Sequence, residues 1–89
     1  MILTAGQVQR IAPVNPDRVY FLVQNLNTTS SNYVYLLQSE EEAETFRKTG
    51  VAVGGLGILE MQNCINFQSK KSWYALTDAN NVDIRVMDV

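Results

Sequence analysis

The chain has 89 residues and a formal net charge of −2, from seven basic and nine acidic side chains. This balance argues against a nucleic-acid-binding protein, in which a basic excess normally covers one face. The chain contains no histidine and one cysteine, Cys64, so it lacks the usual base for nucleophilic catalysis and the ligand spacing of a zinc site. Its length predicts a single small domain, residues 1–89.

The cysteine content and the N-terminal sequence bear on where the protein is made. One cysteine cannot form an internal disulfide, whereas secreted domains of this size usually depend on several. Residues 1–6 lack a basic leader, and no apolar stretch approaches the roughly 20 residues of a membrane-spanning helix. We therefore expect synthesis in the cytoplasm and no membrane partner.

Residues 1–12 alternate loosely between apolar and polar side chains. This pattern predicts an edge strand or an N-terminal arm that reaches a neighbouring molecule. Residues 12–17 contain both prolines of the chain, which favour extended backbone and remove ladder donors. They are predicted to form a rigid connector before the first strong strand.

The segment Arg18–Ser39 predicts two strands joined by a polar turn, a hairpin to which the other strands are added. In the first strand, Val19, Phe21 and Val23 share one face and are expected to fill the core. The turn is rich in asparagine, serine and threonine, whose side chains bond nearby backbone.

The second strand of this hairpin, residues 32–38, carries apolar side chains on both faces. Tyr33, Tyr35 and Leu37 lie on one face, while Val34 and Leu36 lie on the other. A single small domain is not expected to bury both apolar faces of one strand. The pattern therefore predicts a central strand or an oligomer interface.

The segment Ser39–Lys48 is the only one with helix signals. Ser39 is a candidate N-cap with Glu42 three positions later, acidic residues crowd the first turn, and Gly50 suits the C-terminal cap. One short helix is therefore predicted in a connection between strands.

The remaining chain reads as short strands separated by turns, of which Gly54-Gly55 is one. Together with the hairpin, these strands predict a mainly β fold, an antiparallel β-sandwich or small barrel of about seven strands. The predicted strands are Val51–Val53, Leu56–Met61, a weaker one within residues 62–68, Ser72–Thr77 and Val82–Asp88.

No residue set points to a reaction. The acidic run at 40–44 is explained by a helix start, and the glycines at 54–57 lack the lysine and the following helix of a phosphate-binding loop. We therefore expect a non-enzymatic protein with no catalytic, cofactor-binding or metal-binding residues and no cofactor.

The sequence Lys70-Lys71-Ser72-Trp73-Tyr74 places two cations beside two aromatic rings. Trp73 and Tyr74 are possible stacking platforms for a sugar of a glycan or of a host surface. The same cluster suits a small barrel that binds single-stranded nucleic acid. A solvated turn followed by core aromatics is the third interpretation.

The order of these features resembles small β-sandwich structural proteins of tailed-bacteriophage virions. The shared pattern is a Pro-x-Arg segment, a strand that ends in Val/Ile-Gln-Asn, a polar turn and a strand rich in valine and tyrosine, followed by glycine turns, an aromatic strand and a final valine-rich strand. Here it covers about Pro13 to Val89 and comprises Pro16-Asp17-Arg18, Val23-Gln24-Asn25, Tyr33–Leu37, Gly50, Gly54-Gly55, Trp73-Tyr74-Ala75-Leu76 and Val82–Val86.

This resemblance implies a virion protein such as a capsid decoration (cement) protein, a head-fibre protein or a minor head or tail component. It implies a homo-oligomer, with a trimer favoured, bound to the major capsid protein or another virion protein. The expected contacts are the N-terminal arm and six further residues: Tyr33, Tyr35, Leu37, Gly54, Gly55 and Leu56. A carbohydrate-binding module of a phage fibre and a nucleic-acid-binding barrel stay as alternatives.

Overall fold

The computed structural model describes residues 1–29, 31–38, 51–62, 70–79 and 81–89. These residues contain eight β-strands, and no cis peptide bond occurs among them. The strands are β1 (Ile2–Leu3), β2 (Gln9–Ala12), β3 (Tyr20–Asn25), β4 (Val34–Leu37), β5 (Val51–Val53), β6 (Ile58–Gln62), β7 (Trp73–Thr77) and β8 (Val82–Asp88).

The strands form two four-stranded antiparallel sheets. The first sheet has the order β1-β8-β3-β6 and the second has the order β2-β7-β4-β5. Strands 1 and 2, 3 and 4, 5 and 6, and 7 and 8 therefore lie in opposite sheets, so each of these four connections crosses the sandwich. This strand order is that of an eight-stranded jelly roll. The predicted antiparallel sandwich is confirmed, and its two sheets do not close into a barrel.

The predicted hairpin Arg18–Ser39 is wrong in its pairing. β3 lies between β8 and β6 in the first sheet, whereas β4 lies between β7 and β5 in the second. The chain therefore crosses from the first sheet to the second between β3 and β4. The two strands pack against the common core from opposite sides. Residues 54–57 likewise connect β5 to β6 across the two sheets.

The core lies between the inward faces of the sheets. Phe21 and Val23 are fully buried, and the Phe21 ring stacks on Trp73 with ring centroids 5.4 Å apart. Val19 was expected on the same face, but it precedes β3 and is 57% exposed. The other core side chains are Leu3, Ala12, Val34, Leu36, Val53, Ala75, Val82 and Ile84.

A second apolar cluster lies on the outer side of the second sheet. Leu37 is paired with Tyr74, and Tyr35 with Leu76, so these four side chains share the outward face. Leu37 and Leu76 are buried there, with Val8 and Tyr74 packed against them. The apolar excess of β4 is therefore largely absorbed within the chain, and Leu37 does not offer the exposed interface that its position predicted.

Residues 1–12 supply an edge strand to each sheet. β1 pairs with β8 in the first sheet, and β2 pairs with β7 in the second. Leu3 is completely buried between them. The segment is thus anchored at both of its strands rather than extended away from the domain.

Two predictions fall outside the described residues: the helix at Ser39–Lys48 and most of the weak strand within 62–68. Within the described ranges, no helix is long and apolar enough to cross a membrane.

Candidate binding surfaces

Asn25 is a buried polar residue at the end of β3. Its Nδ2 donates to the carbonyl oxygens of Asn32, at 2.8 Å, and Val53, at 3.0 Å, while its Oδ1 accepts from the Asn27 amide at 3.0 Å. The backbone of Asn25 also bonds both Leu56 and Gly57. One side chain thus fixes the β3–β4 and β5–β6 crossovers against each other.

Arg18 plays the matching role just before β3. Its guanidinium is fully buried and bonds both carboxylate oxygens of Asp88, at 2.6 and 3.1 Å. It also donates to the carbonyl oxygens of Lys71, at 2.9 Å, and Pro13, at 2.8 Å. Its charged carbon lies 5.0 Å from the centroid of the Phe21 ring.

The two residues that begin and end the most distinctive part of the sequence pattern, Arg18 and Asn25, are therefore internal. Each satisfies backbone carbonyls that the jelly-roll connections leave without ladder partners. The pattern of Pro-x-Arg and Gln-Asn has a structural explanation in the fold, and it does not itself mark a binding surface.

The four crossovers β1–β2, β3–β4, β5–β6 and β7–β8 meet at one end of the sandwich, which we call the crossover end. The Gly6 amide bonds the carbonyl of Thr77, Asn25 joins residues 32 and 53, and the Leu26 amide bonds the carbonyl of Asp83. Residues 4–8, 26–29, 31–33, 54–57 and 78–79 are thereby tied together. A rigid scaffold that presents adjacent loops is a common setting for binding sites.

Leu56 is the most unusual residue at this end. Its φ of 63° lies in the left-handed region, which bulky side chains rarely adopt. Hydrogen bonds on both sides hold it there, from its own amide to Asn25 O at 2.9 Å and from the Gly57 amide to Gly54 O at 2.8 Å. The side chain is nevertheless 62% exposed. Strain of this kind persists where the surroundings impose it, and it is concentrated at functional sites.

Leu56 belongs to an apolar row along the outward side of the first sheet. Ile2 pairs with Asp83, Leu26 bonds Asp83 through its amide, and Ile58 pairs with Gln24. These pairings bring four exposed apolar side chains to one end of the first sheet, spread from the edge strand β1 to the opposite edge strand β6, with Asp83 between Ile2 and Leu26. We call this row the first-sheet rim: Ile2, Leu26, Leu56 and Ile58.

The sequence predicted Leu56 as a contact, and it placed Ile2 in an edge strand or an N-terminal arm that was also an expected contact. It missed Leu26, which it assigned to a turn, and Ile58, which it assigned to a strand interior. Only the pairing of β1, β8, β3 and β6 brings them together. Of the predicted glycines, Gly55 is enclosed, because a Cβ there would lie 2.3 Å from the carbonyl oxygen of Thr29.

Tyr33 and Tyr35 lie on the second-sheet side of the crossover end. Their ring centroids are 6.3 Å apart and the rings are tilted by 36°. They line a cleft of about 190 Å³ together with Ser31, Asn32, Asp78 and Ala79. Tyr33 is 45% exposed. The structure thus separates the predicted tyrosines from Leu37 and adds Asp78, which the sequence presented only as a turn residue.

The predicted stacking residues Trp73 and Tyr74 point to opposite sides of β7. Trp73 is buried and stacked on Phe21 inside the sandwich, so its ring is not a platform for a ligand. Tyr74 is half-buried and lines a cleft of about 430 Å³ at the opposite end of the molecule, with Val14, Pro16, Gln38, Lys70, Lys71 and Ser72. The combination of cations with two open rings, which the nucleic-acid alternative requires, is not formed.

A polar cluster lies on the open face of the first sheet. The Tyr20 hydroxyl donates to Glu60 at 2.6 Å, and Gln62 donates to the other carboxylate oxygen at 2.8 Å. These bonds lower the pKa of Glu60, and the bond to Glu60 raises the pKa of Tyr20. Glu60 is exposed and Tyr20 is half-buried, so these hydrogen bonds order side chains at the solvent-facing side of the sheet.

Within the described ranges, no three cysteine, aspartate or glutamate side chains lie close enough to hold a metal ion. No protein-family model matches the chain, no curated protein matches its sequence, and no solved structure matches its fold. The resemblance to phage virion proteins therefore stays a prediction.

Proposed function

We propose that this protein is a non-enzymatic structural protein of a tailed-bacteriophage virion that binds and stabilises the outer surface of the capsid. Jelly rolls are used by viral capsid domains, by lectins and by cupins, so the fold is compatible with the proposal but does not choose it. The observation that carries the proposal is the first-sheet rim, which leaves apolar side chains exposed at one end of the sandwich.

The rim has the features of a protein-binding surface. Ile2, Leu56 and Ile58 are each more than half exposed. Ile2 and Ile58 lie on strands, and backbone hydrogen bonds hold Leu56 in the turn between β5 and β6. Burying such side chains contributes about 25 cal/mol per Å² before the costs of association. Because strand pairing and these hydrogen bonds fix their positions, little further ordering is required on binding.

The surroundings of the rim suit a specific protein partner rather than a lipid surface. Asp83, Arg85 and Glu60 are exposed on the same face of the first sheet, so acidic and basic groups border the apolar side chains. Mixed charges around an apolar centre are typical of protein interfaces. The outer face of the second sheet exposes less apolar surface to a partner, because Leu37 and Leu76 are already buried there.

Homo-oligomerisation, with a trimer favoured, remains part of the proposal. The apolar side chains on both faces of β4 give it less support than the sequence predicted, because Leu37 packs within the chain. The exposed side chains of Val19 and Val89 supply another motive, since they adjoin each other through a backbone hydrogen bond of 2.8 Å at the opposite end from the rim. One end then contacts the capsid while the other is available to neighbouring copies.

The direct test is co-sedimentation with capsids that were assembled without a decoration protein. We expect the wild-type chain to pellet with capsids at micromolar concentration and Leu56→Asp to remain in the supernatant. Val14→Asp is the matched control, because Val14 is equally exposed, lies at the opposite end and receives the same charge. Absence of wild-type binding, or equal loss in both variants, would contradict the proposal.

A further inference from the structure

We infer that the cleft between Tyr33, Tyr35 and Asp78 is a binding site for one neutral saccharide unit of a glycan. It lies on the second-sheet side of the crossover end, whereas the first-sheet rim lies on the other side. The inference goes beyond capsid binding and does not depend on it, because the isolated chain contains the whole cleft.

The walls of the cleft are held in place by buried side chains. Thr77 is fully buried and its hydroxyl donates to the carbonyl oxygen of Tyr33 at 2.9 Å, while it accepts from the Ala79 amide at 3.2 Å. On the other side, Asn25 donates to the carbonyl oxygen of Asn32. Both connections that form the cleft are thus anchored to the core, which reduces the ordering cost of binding a ligand.

The side chains match the chemistry of a sugar. A pyranose ring has an apolar face of C–H groups and a rim of hydroxyls. The paired tyrosine rings provide an apolar wall that is partly open to solvent. Asp78, Asn32 and Ser31 supply carboxylate, amide and hydroxyl groups that accept or donate hydrogen bonds.

The size and the charge of the cleft restrict the class of sugar that it can bind. Its volume of about 190 Å³ is below the roughly 300–1,000 Å³ of sites that enclose drug-sized molecules, so it suits a single sugar unit at the end of a chain. None of the described lining residues is a lysine or arginine, and Asp78 carries negative charge. Phosphorylated ligands and acidic sugars are therefore disfavoured relative to neutral ones.

The test is a nuclear magnetic resonance titration of the full chain with a panel of methyl glycosides. The probes are glucose, galactose, mannose, N-acetylglucosamine and N-acetylgalactosamine, with N-acetylneuraminic acid as the acidic member. We expect at least one neutral sugar to give saturable shifts of the Tyr33, Tyr35 and Ala79 amides at millimolar concentration, with a weaker response to N-acetylneuraminic acid. This mapping needs no substitution.

Variants then assign the contact. Tyr33→Ala should weaken binding by about tenfold through loss of one ring face, while Tyr20→Ala, the same change on the first sheet, should leave it unchanged. Three results would overturn the inference: no neutral sugar binding, shifts that map outside the cleft, or preference for N-acetylneuraminic acid. Saturable binding of a proline-rich peptide in place of every sugar would also overturn it, since aromatic grooves take such peptides too.

Discussion

Two buried polar residues, Arg18 and Asn25, bond the backbone at the points where the chain passes between the two sheets. Burial of a charge or an amide is costly unless each hydrogen-bonding group has a partner. Both side chains meet that condition, and every fully buried side-chain nitrogen or oxygen among the described residues has a partner. The carbonyl groups that they bond belong to connections, so these residues stabilise the crossing of the chain between sheets.

The Arg18–Asp88 pair predicts a pH dependence of stability. The hydrogen bonds from Arg18 hold the pKa of the Asp88 carboxyl below its ordinary value of 3.8. Because the folded state favours the ionised form, the pair contributes fully above pH 3.8, and its contribution is lost as the pH falls from there through the lowered pKa.

The substitution Asp88→Asn should cost about 3 kcal/mol at neutral pH, since it leaves the buried guanidinium without its charged partner. Urea denaturation should show the gap between variant and wild type closing below pH 3.8. Asp83→Asn is the control on the same strand, where only an exposed pair with the Met1 amino group is lost and a change under about 1 kcal/mol is expected. A gap that stays constant with pH would contradict the account.

Asn25 gives a second prediction. Asn25→Leu keeps similar volume but leaves the carbonyl oxygens of Asn32 and Val53 without that donor, so the free energy of unfolding should fall by about 3 kcal/mol. Gln24→Leu, on the adjacent half-buried outward position, should change it by less than about 1 kcal/mol. Equal effects of the two substitutions in chemical denaturation would show that Asn25 does not hold the crossovers.

Among elements, the crossovers are the part that sequence patterns described least well. Sequence patterns predicted β5 and β8 at their observed bounds, and β7 within one residue. The asparagine and glycine content correctly marked Gly54-Gly55 and the segment after Asn25 as connections, but Leu56 and Gly57, predicted as strand, also belong to the connection between β5 and β6. Turn residues do not show, however, whether the next strand pairs with the previous one or joins the other sheet, because the chain reverses direction in both cases. The hairpin prediction failed for that reason.

The sequence predicted which strand residues face the core correctly at some positions and wrongly at others. Phe21 and Val23 were placed correctly, but alternation does not show where a strand begins, so Val19 was extended into the core. Leu37 was predicted to be exposed, because the sequence of one strand does not show which side chains of other strands will cover it on the outer side of the sheet. Leu26 and Ile58 were missed for a related reason, since the rim forms through pairings between distant parts of the chain.

The contact between two crossovers yields a prediction at this scale. A Cβ at Gly55 would lie 2.3 Å from the backbone oxygen of Thr29 and 2.8 Å from that of Asn27. Gly55→Ala should therefore separate the connections and cost about 3 kcal/mol. Gly6 has φ 73° but open space around it, so Gly6→Ala should cost only the backbone strain, about 1 kcal/mol. Thermal denaturation of both variants provides the comparison.

For the whole molecule, the proposal predicts self-association. Light scattering after size-exclusion chromatography should give about three times the chain mass of 10.0 kDa, and Val19→Asp should shift the protein towards the monomer by placing charge among exposed apolar residues. A mass of 10.0 kDa at all concentrations would remove self-association in solution from the proposal while leaving capsid binding to be judged separately.

The rim and the tyrosine cleft lie at the same end of the sandwich but on different sheets. A capsid that contacts the rim through the outward side of the first sheet therefore need not cover the cleft on the second sheet. The same jelly roll then supports two kinds of contact because its crossovers fix both surfaces relative to the core.

The most direct measurement of the central claim is electron cryo-microscopy of capsids incubated with the purified protein. The account predicts ordered density for the eight-stranded sandwich on the outer surface, with Ile2, Leu56 and Ile58 against the capsid. Particles without added density, or density in which the rim faces solvent, would contradict it.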